Sequence, residues 1–381
     1  MSHAAASPSA LILPRVLFAA GALSALAGEL EALGIHRPLL VTDQGLVAAG
    51  LARQAIAACG QARQPAVFDS VTENPLFADV DRGAAWYARQ ACDGVVAFGG
   101  GSVIDTAKMI ALLATNPGSC AHYAGVRNAV HGPAAALIVI PTTAGTGSEA
   151  SPSAGIHPDA ATASVGMGSR HLVPTLAILD PDLTRSLPAR LVAATGIDAL
   201  SHCIEGFLSK KEIPLGKSIA LDGIARATRN LRRVVADRED AQARGDMMLA
   251  AFAGGAAIGM GLGPAHAIAI ACSDQGFHHG VLSGIGLVAT LDATCAHVPE
   301  QAAEVAMALG LERSASLGQA LASLMRELGL PATLAELHYM PRDLHALAQA
   351  AHQSHFNLSA PFHPSASDYA AILTHSLKPQ P

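Results

Sequence analysis

A chain of 381 residues with 51% apolar and only 14% charged residues is globular rather than disordered, and it is too long for one compact core, so two domains are expected. The net charge of −6 and the lack of any dense Lys/Arg run speak against nucleic acid or an anionic membrane as partner. Six scattered cysteines without a CxxC pair speak against a disulfide framework and fit small buried thiols in a reducing cytoplasm.

The first nine residues, rich in Ala and Ser, read as a loose end. The stretch "ALILPRVLFAAGALSALAGELEAL" reads as a strand followed by an amphipathic helix. Pro14 and Arg15 interrupt its apolar run well short of the roughly 20 residues a membrane span needs. Strand-like and helix-like runs then alternate. "RPLLVTDQG" is a strand and turn, "GLVAAGLARQAIAACG" a helix, "QPAVFDSV" a strand and "DVDRGAAWYARQACD" a helix. "GVVAFGGGS" is a strand entering a glycine turn, "VIDTAKMIALLATN" its helix, and "AALIVIPTTAGTGSE" a strand with a polar turn. This alternation predicts an α/β domain with a parallel sheet covered by helices on both faces. Beyond "AILDPDLTRSLPARL" the chain becomes Ala/Leu-rich with helical period. The expected division is 1–184, an α/β dinucleotide-binding domain, and 185–381, an all-α domain.

Three turns are candidates for holding a dinucleotide. Gly99, Gly100, Gly101 and Ser102 stand between a strand and a helix, where glycines let backbone N–H groups approach a diphosphate. The same stretch also suits a plain turn with Ser102 as N-cap and Asp105 as its capping-box partner. Thr142, Thr143, Thr146 and Ser148 follow another strand and offer hydroxyls, or else satisfy their own loop. Asp43 ends a strand. A carboxylate there suits ribose hydroxyls and repels a 2′-phosphate, favouring NAD over NADP, and its plain alternative is a turn-forming Asp before Gly45.

"TGIDALSHCIEGF" places Asp198 and His202 at i and i+4, on one helical face. That spacing suits two ligands of one cation, and equally an Asp–His hydrogen bond in a core. "GLGPAHAIAIACSDQGFHHG" adds His266, His278 and His279. One carboxylate with three imidazoles suits Fe(II) or Zn(II) without separating them. Of the 17 histidines, His36, His122, His131, His338 and His375 read as ordinary surface residues.

Taken together, "LLVTDQGL", "VTENP", "GGGSVIDTAK", "IPTTAGTGSE", "LAILDPDLTRSLP", "TGIDALSHCIEGF", "GLGPAHA" and "HHG" resemble the iron-containing (group III) alcohol dehydrogenase family over nearly the whole chain. The resemblance implies an N-terminal dinucleotide-binding domain, a helical C-terminal domain and an active site between them, in a cytoplasmic homodimer or larger homo-oligomer. It implies Asp198, His202, His266 and His279 as metal ligands. It implies Asp43, Gly100, Gly101, Ser102, Thr142, Thr143 and Ser148 as cofactor contacts. The sequence departs from the family where Ile270 replaces a histidine, Ser164 a lysine, and Ala257 and Gly259 a Phe and an Asn.

The expected reaction is reversible hydride transfer between NAD(H) and an alcohol or aldehyde. The small residues at 257 and 259, with the polar stretch "CSDQGFHH", point to a roomier, more polar pocket for a functionalised substrate carrying a carboxylate, phosphonate or hydroxyl. His278 is expected to replace the missing histidine as proton relay. The alternatives are dehydroquinate synthase-like or glycerol dehydrogenase-like chemistry, against which four ligand candidates instead of three speak, and a degenerate non-catalytic member of the family.

Overall fold

The computed structural model describes residues 10–126 and 129–378; the expected loose end over 1–9 lies outside them. Eight strands form among the described residues: β1 (Arg15–Phe18), β2 (Pro38–Val41), β3 (Ala66–Phe68), β4 (Gly94–Gly99), β5 (Leu137–Pro141), β6 (Ser153–Ile156), β7 (Val165–Gly168) and β8 (Leu176–Leu179). Six make one parallel sheet in the order β1-β8-β5-β4-β2-β3, and β6 pairs with β7 in a separate antiparallel hairpin. The strands β2, β4, β5 and β8 are buried at every position, as a parallel sheet covered on both faces requires.

Alternation along the strands divides their side chains between two cores. Leu39, Val41, Val95, Ala97, Val139 and Ala177 enter one, and Leu40, Val96, Phe98, Ile138, Ile140 and Ile178 the other. Helices α1 (Leu26–Ala32), α2 (Gln44–Ala48) and α3 (Leu51–Ala58) follow β1 and β2, and α1 and α3 supply Leu26, Leu30 and Ala55 to the second core. Helices α4 (Phe77–Arg89) and α5 (Gly101–Leu113) cover the first, and a short α6 (Cys120–Tyr123) follows. The single helix expected over "GLVAAGLARQAIAACG" is two, because Gly50 takes φ 76 and ends α2 there.

After β8 and a 3-10 turn at Pro181–Thr184, the described chain is helical: α7 (Ala189–Leu208), α8 (Pro214–Ala236), α9 (Ala241–Ile258), α10 (Pro264–Ala271), α11 (His279–Cys295), α12 (Pro299–Ala308), α13 (Leu317–Glu327), α14 (Leu344–Gln353) and α15 (Ala366–Ser376). Helix α7 is long and apolar enough to cross a membrane, yet 89% of its apolar 18-residue stretch is buried inside the protein, which makes it a central core helix. The first of the two cores runs on into the helical half through Ile197, Leu200 and Ile204 of α7.

The polar loop after β5 locks into this half backbone to backbone. Gly147 has φ 66, and a Cβ on Gly255 of α9 would collide with the Gly147 carbonyl. A Cβ on Gly145 would stand 2.6 Å from the Thr195 carbonyl oxygen of α7. Backbone cannot yield as a side chain can. Gly255→Ala is therefore expected to cost about 1–3 kcal/mol, read as a lowered Tm, whereas Gly168→Ala, with no atom within 4 Å of its Cβ position, leaves Tm in place.

Candidate metal centre

Four side chains from three helices converge below that loop. Asp198 and His202 leave α7 one turn apart, His266 lies in the first turn of α10, and His279 opens α11. Glycine lets the helices close in: a Cβ on Gly280 would lie 2.9 Å from that of Asp198, and one on Gly254 would lie 3.1 Å from that of His202. Asp198 Oδ1 stands 3.8 Å from His202 Nε2, 3.9 Å from His266 Nε2 and 4.0 Å from His279 Nε2. One ligand atom from each residue falls within 4.8 Å of all the others.

These separations are too long for direct hydrogen bonds. They match donors sharing a divalent ion at about 2.0–2.2 Å each, which stand about 3–4 Å apart. Asp198 Oδ1 and His266 Nε2 are moreover buried with no partner, a costly arrangement unless a cation completes it. The charges suit one. Burial by itself pushes the Asp198 carboxyl up, but His202, His279 and His266 together outweigh it and hold it below the usual carboxylate range. Burial takes His202 down to about 3; partial desolvation among its neighbours also lowers His279, although 44% of its side chain stays exposed at the edge of the cluster. At neutral pH the centre thus holds an ionised carboxylate, with His202 and His279 neutral, the protonation states metal binding needs.

Sequence reasoning missed Glu205. It lies on α7 on the same face, seven residues after Asp198, and is buried. Its Oε1 accepts the Ala265 N–H at 2.8 Å, and its Oε2 accepts His266 Nδ1–H at 2.6 Å. A carboxylate only accepts, so His266 carries its proton on Nδ1 and turns the Nε2 lone pair into the cage. The i, i+4, i+7 acid–His–acid spacing within the same quoted stretch was the available signal.

His278 is the N-cap of α11, its Nδ1 accepting the Gly280 N–H at 3.1 Å. Ile270 stands half-buried one turn beyond His266. Ala257 does not open a pocket: it is fully buried, and a Cβ on Gly206 of α7 would reach within 2.6 Å of it, so the α7–α9 contact takes up the missing bulk. His36, His122, His131, His338 and His375 are all exposed. The six cysteines are unpaired, five of them buried.

The three candidate nucleotide turns come together at the carboxyl ends of neighbouring strands β2, β4 and β5. Strand order reverses between β2 and β4, the crevice where open α/β sheets take ligands. Gly100 is the N-cap of α5, and a Cβ there would stand 3.3 Å from Thr143; on Gly101 it would stand 2.7 Å from Thr146. Ser102 is not the cap and Asp105 forms no capping box. Ser102 Oγ donates to the Glu73 carbonyl, and Asp105 Oδ2 accepts Gly155 N–H at 2.8 Å, tying α5 to β6. Thr142 and Ser148 are buried, while Thr143 is half-buried. Asp43 caps α2 by accepting Leu46 N–H at 2.9 Å.

Beneath these turns lies a buried charge cluster that local patterning hides. Lys108 is fully buried, donating to Ser151 O (2.9 Å), Ser151 Oγ (3.0 Å) and Ser153 O (2.7 Å). Burial lowers it to about 8 and raises Glu149 from 4.5 to about 7. Across that Glu149 window the native state keeps a proton that the unfolded chain has lost, so stability falls as pH rises. Glu149→Gln titrates no proton. Thermal unfolding from about pH 5 to about pH 8 is expected to move the Tm difference steadily in the variant's favour.

The chain matches the iron-containing alcohol dehydrogenase family over residues 14–181 and the C-terminal region of the Fe-containing alcohol dehydrogenase family over residues 192–377. It is 40% identical over 370 residues to 4-hydroxybutyrate dehydrogenase of Cupriavidus necator, covering 94% of this chain and 96% of that one. Among solved structures, a 1,3-propanediol oxidoreductase superposes with TM-score 0.91 at 29% identity, covering 97% of this chain and 100% of that one. Sulfoacetaldehyde reductase from Bifidobacterium kashiwanohense, in complex with NAD+, superposes with TM-score 0.88 at 27% identity, covering 98% and 99%.

Fold and site thus define a metal-dependent oxidoreductase acting on alcohols. The chain belongs to the iron-containing alcohol dehydrogenase family.

Proposed function

We propose that this enzyme interconverts an ω-oxo acid and its ω-hydroxy acid with NAD(H), using Fe(II) or Zn(II) held by Asp198, His202, His266 and His279. The observation that carries the reading is the convergence of these four donors, with buried lone pairs that no protein group satisfies. The relative acting on 4-hydroxybutyrate supports a carboxylate-bearing substrate. The NAD+ complex of sulfoacetaldehyde reductase and the carboxylate of Asp43 at the end of β2 support NAD over NADP.

When bound, a divalent ion supplies Lewis-acid polarisation of the substrate oxygen and a nicotinamide supplies or takes the hydride. The chain's own residues supply the rest. Gly100, Gly101 and Ser102 offer N–H groups at the start of α5 to the diphosphate. Thr142, Thr143 and Ser148 offer hydroxyls beside it, and Asp43 accepts from the ribose. The buried faces of α7, α9 and α10 exclude water from the reacting atoms. His278 stands as the proton relay, with Nε2 the atom left for it once Nδ1 caps α11.

The division into 1–184 and 185–381 is part of this reading, as is a cytoplasmic homodimer or larger homo-oligomer. Unpaired thiols support the compartment, and the edge strand β1 with exposed Val16 and Phe18 supports self-association.

Apo-protein reloaded separately with Fe(II) and Zn(II) is assayed for NADH oxidation against an aldehyde panel. Succinic semialdehyde is expected to lead with at least one metal. A panel won by short unsubstituted aldehydes, or turnover that ignores metal loading, would overturn the reading.

A further inference from the structure

Helices α10 and α11 carry His266 and His279, and residues 272–278 connect them. The connection is the stretch "CSDQGFH", whose polarity suggests a polar pocket. Its side chains are committed elsewhere. Ser273 Oγ donates back to Ile270 O at 2.7 Å. Asp274 Oδ1 accepts the Tyr339 hydroxyl at 2.8 Å, and the buried Cys272 thiol lies beside the same hydroxyl. Gln275 grips the backbone of Met340 from both sides. Its Nε2 donates to the Met340 carbonyl at 2.9 Å and its Oε1 accepts the Met340 N–H at 3.3 Å. The Phe277 ring stands near that of Tyr339, with ring centres 6.3 Å apart.

The contacts of Asp274, Gln275 and Phe277 reach one anchor, the loop between α13 and α14. His338 turns the chain there with φ 59, and Tyr339 after it is buried. The Tyr339 N–H donates to Leu334 O at 3.0 Å. The Leu334 N–H donates to Ser376 Oγ at 3.0 Å and the Ala335 N–H to Ser376 O at 2.9 Å, at the end of α15. The anchor thus belongs to the packed helical half, whereas residues 273–278 are half-buried or exposed. The four ligands are also unequally supported. The side chains of Asp198, His202 and His266 are at most 5% exposed, and that of His279 is 44% exposed. Packing on every side fixes the first three. Close approach of Gly280 to α7 fixes the helix behind His279, which leaves its first turn to the connection.

The geometry points to Tyr339, acting through Asp274, as the residue that positions His279 in the metal cage. This rests on the metal centre of the proposed function. The path is short, since His279 follows Asp274 by five positions and opens α11. A hydroxyl donating to a carboxylate makes a stronger bond than one donating to a neutral group. A ligand held near its bonding position before the ion arrives loses less freedom on binding it. The polar connection therefore serves the metal from behind rather than the substrate from within the cleft.

The test measures Zn(II) affinity of the full-length apo-protein by competition with a chelator, and the visible absorption of the Co(II)-loaded protein, which reports coordination geometry. Wild type is compared with Tyr339→Phe, Asp274→Ala, the double variant and Asp274→Asn. A hydrogen bond to a charged group is worth about tenfold in an equilibrium. Tyr339→Phe and Asp274→Ala are each expected to weaken Zn(II) about tenfold and to alter the Co(II) band. Both remove one contact, so the double variant is expected to lose no more than either alone. Asp274→Asn, which keeps an acceptor oxygen, is expected to stay near wild type. Asp274 is exposed, so its variants fold and read the contact even if Tyr339→Phe does not. Wild-type affinity and an unchanged Co(II) band in Asp274→Ala, whatever its Tm, overturn the assignment alone. So do losses that add in the double variant, or a loss in Asp274→Asn equal to that in Asp274→Ala. A wild type that binds neither metal overturns the metal centre, and the assignment with it.

Discussion

Asp198→Asn is expected to abolish metal retention and cut turnover about a thousandfold, while leaving the metal-free protein at least as heat-stable as wild type. The two halves of this result come from one atom. Asp198 Oδ1 is buried, has no partner and faces three imidazoles at 3.8 to 4.0 Å. The imidazoles that hold Asp198 low in acid do so only while protonated; at neutral pH His202 and His279 are neutral, so in the metal-free protein the carboxylate is a buried charge without a cation beside it, which is costly. An amide of the same shape carries no charge, so the apo-protein at neutral pH loses nothing and stands to gain. With the ion present the balance inverts. Lewis-acid assistance is worth several kcal/mol, and each 1.4 kcal/mol is tenfold in rate. Metal at a hundred times its Kd stabilises wild type by about 2.7 kcal/mol, which the variant forgoes. Thermal unfolding with and without added Zn(II), together with metal analysis of the purified proteins, reads both halves. A variant that retains stoichiometric metal, or whose apo form melts well below wild type, would show that Asp198 is a packing residue.

Glu205→Gln is the second large effect, and it acts through His266. Glu205 accepts two hydrogen bonds, from Ala265 N–H at 2.8 Å and from His266 Nδ1–H at 2.6 Å. Glutamine has one oxygen and one NH2, so one of the two donors must face another donor. That costs about 1–3 kcal/mol. If the imidazole yields, its proton moves to Nε2 and blocks the lone pair aimed at the cage. Metal affinity is expected to fall about 10–100-fold, measured by competition with a chelator, and excess metal is expected to restore much of the activity. Glu205→Asp, which keeps both acceptors on a shorter arm, should lose less. Unchanged metal affinity in Glu205→Gln would mean that the contact serves only helix packing.

Local pattern explains what was legible. The apolar runs "LLV", "GVVAF" and "LIVI" are short, rich in β-branched residues and bounded by turn residues, the pattern of strands in a sheet buried on both faces. The helical spacing of Asp198 and His202 is likewise a local fact. The β6–β7 hairpin was not legible: "SAGI" and "VGMG" are short and glycine-containing, with too few β-branched residues to signal strands. Lys108 was hidden as well, since a lysine on a helix ordinarily reads as solvated. Its burial depends on carbonyls some 43 and 45 residues further along the chain.

The sequence by itself determined the strand–helix alternation, the helical second half and the acid–histidine face of α7, because each is written in the spacing of neighbouring residues. Tertiary structure alone decided that His266 and His279 meet that face and that Glu205 orients the first of them. Such contacts join residues tens of positions apart, and their distances follow from helix packing through Gly254 and Gly280 rather than from any local period.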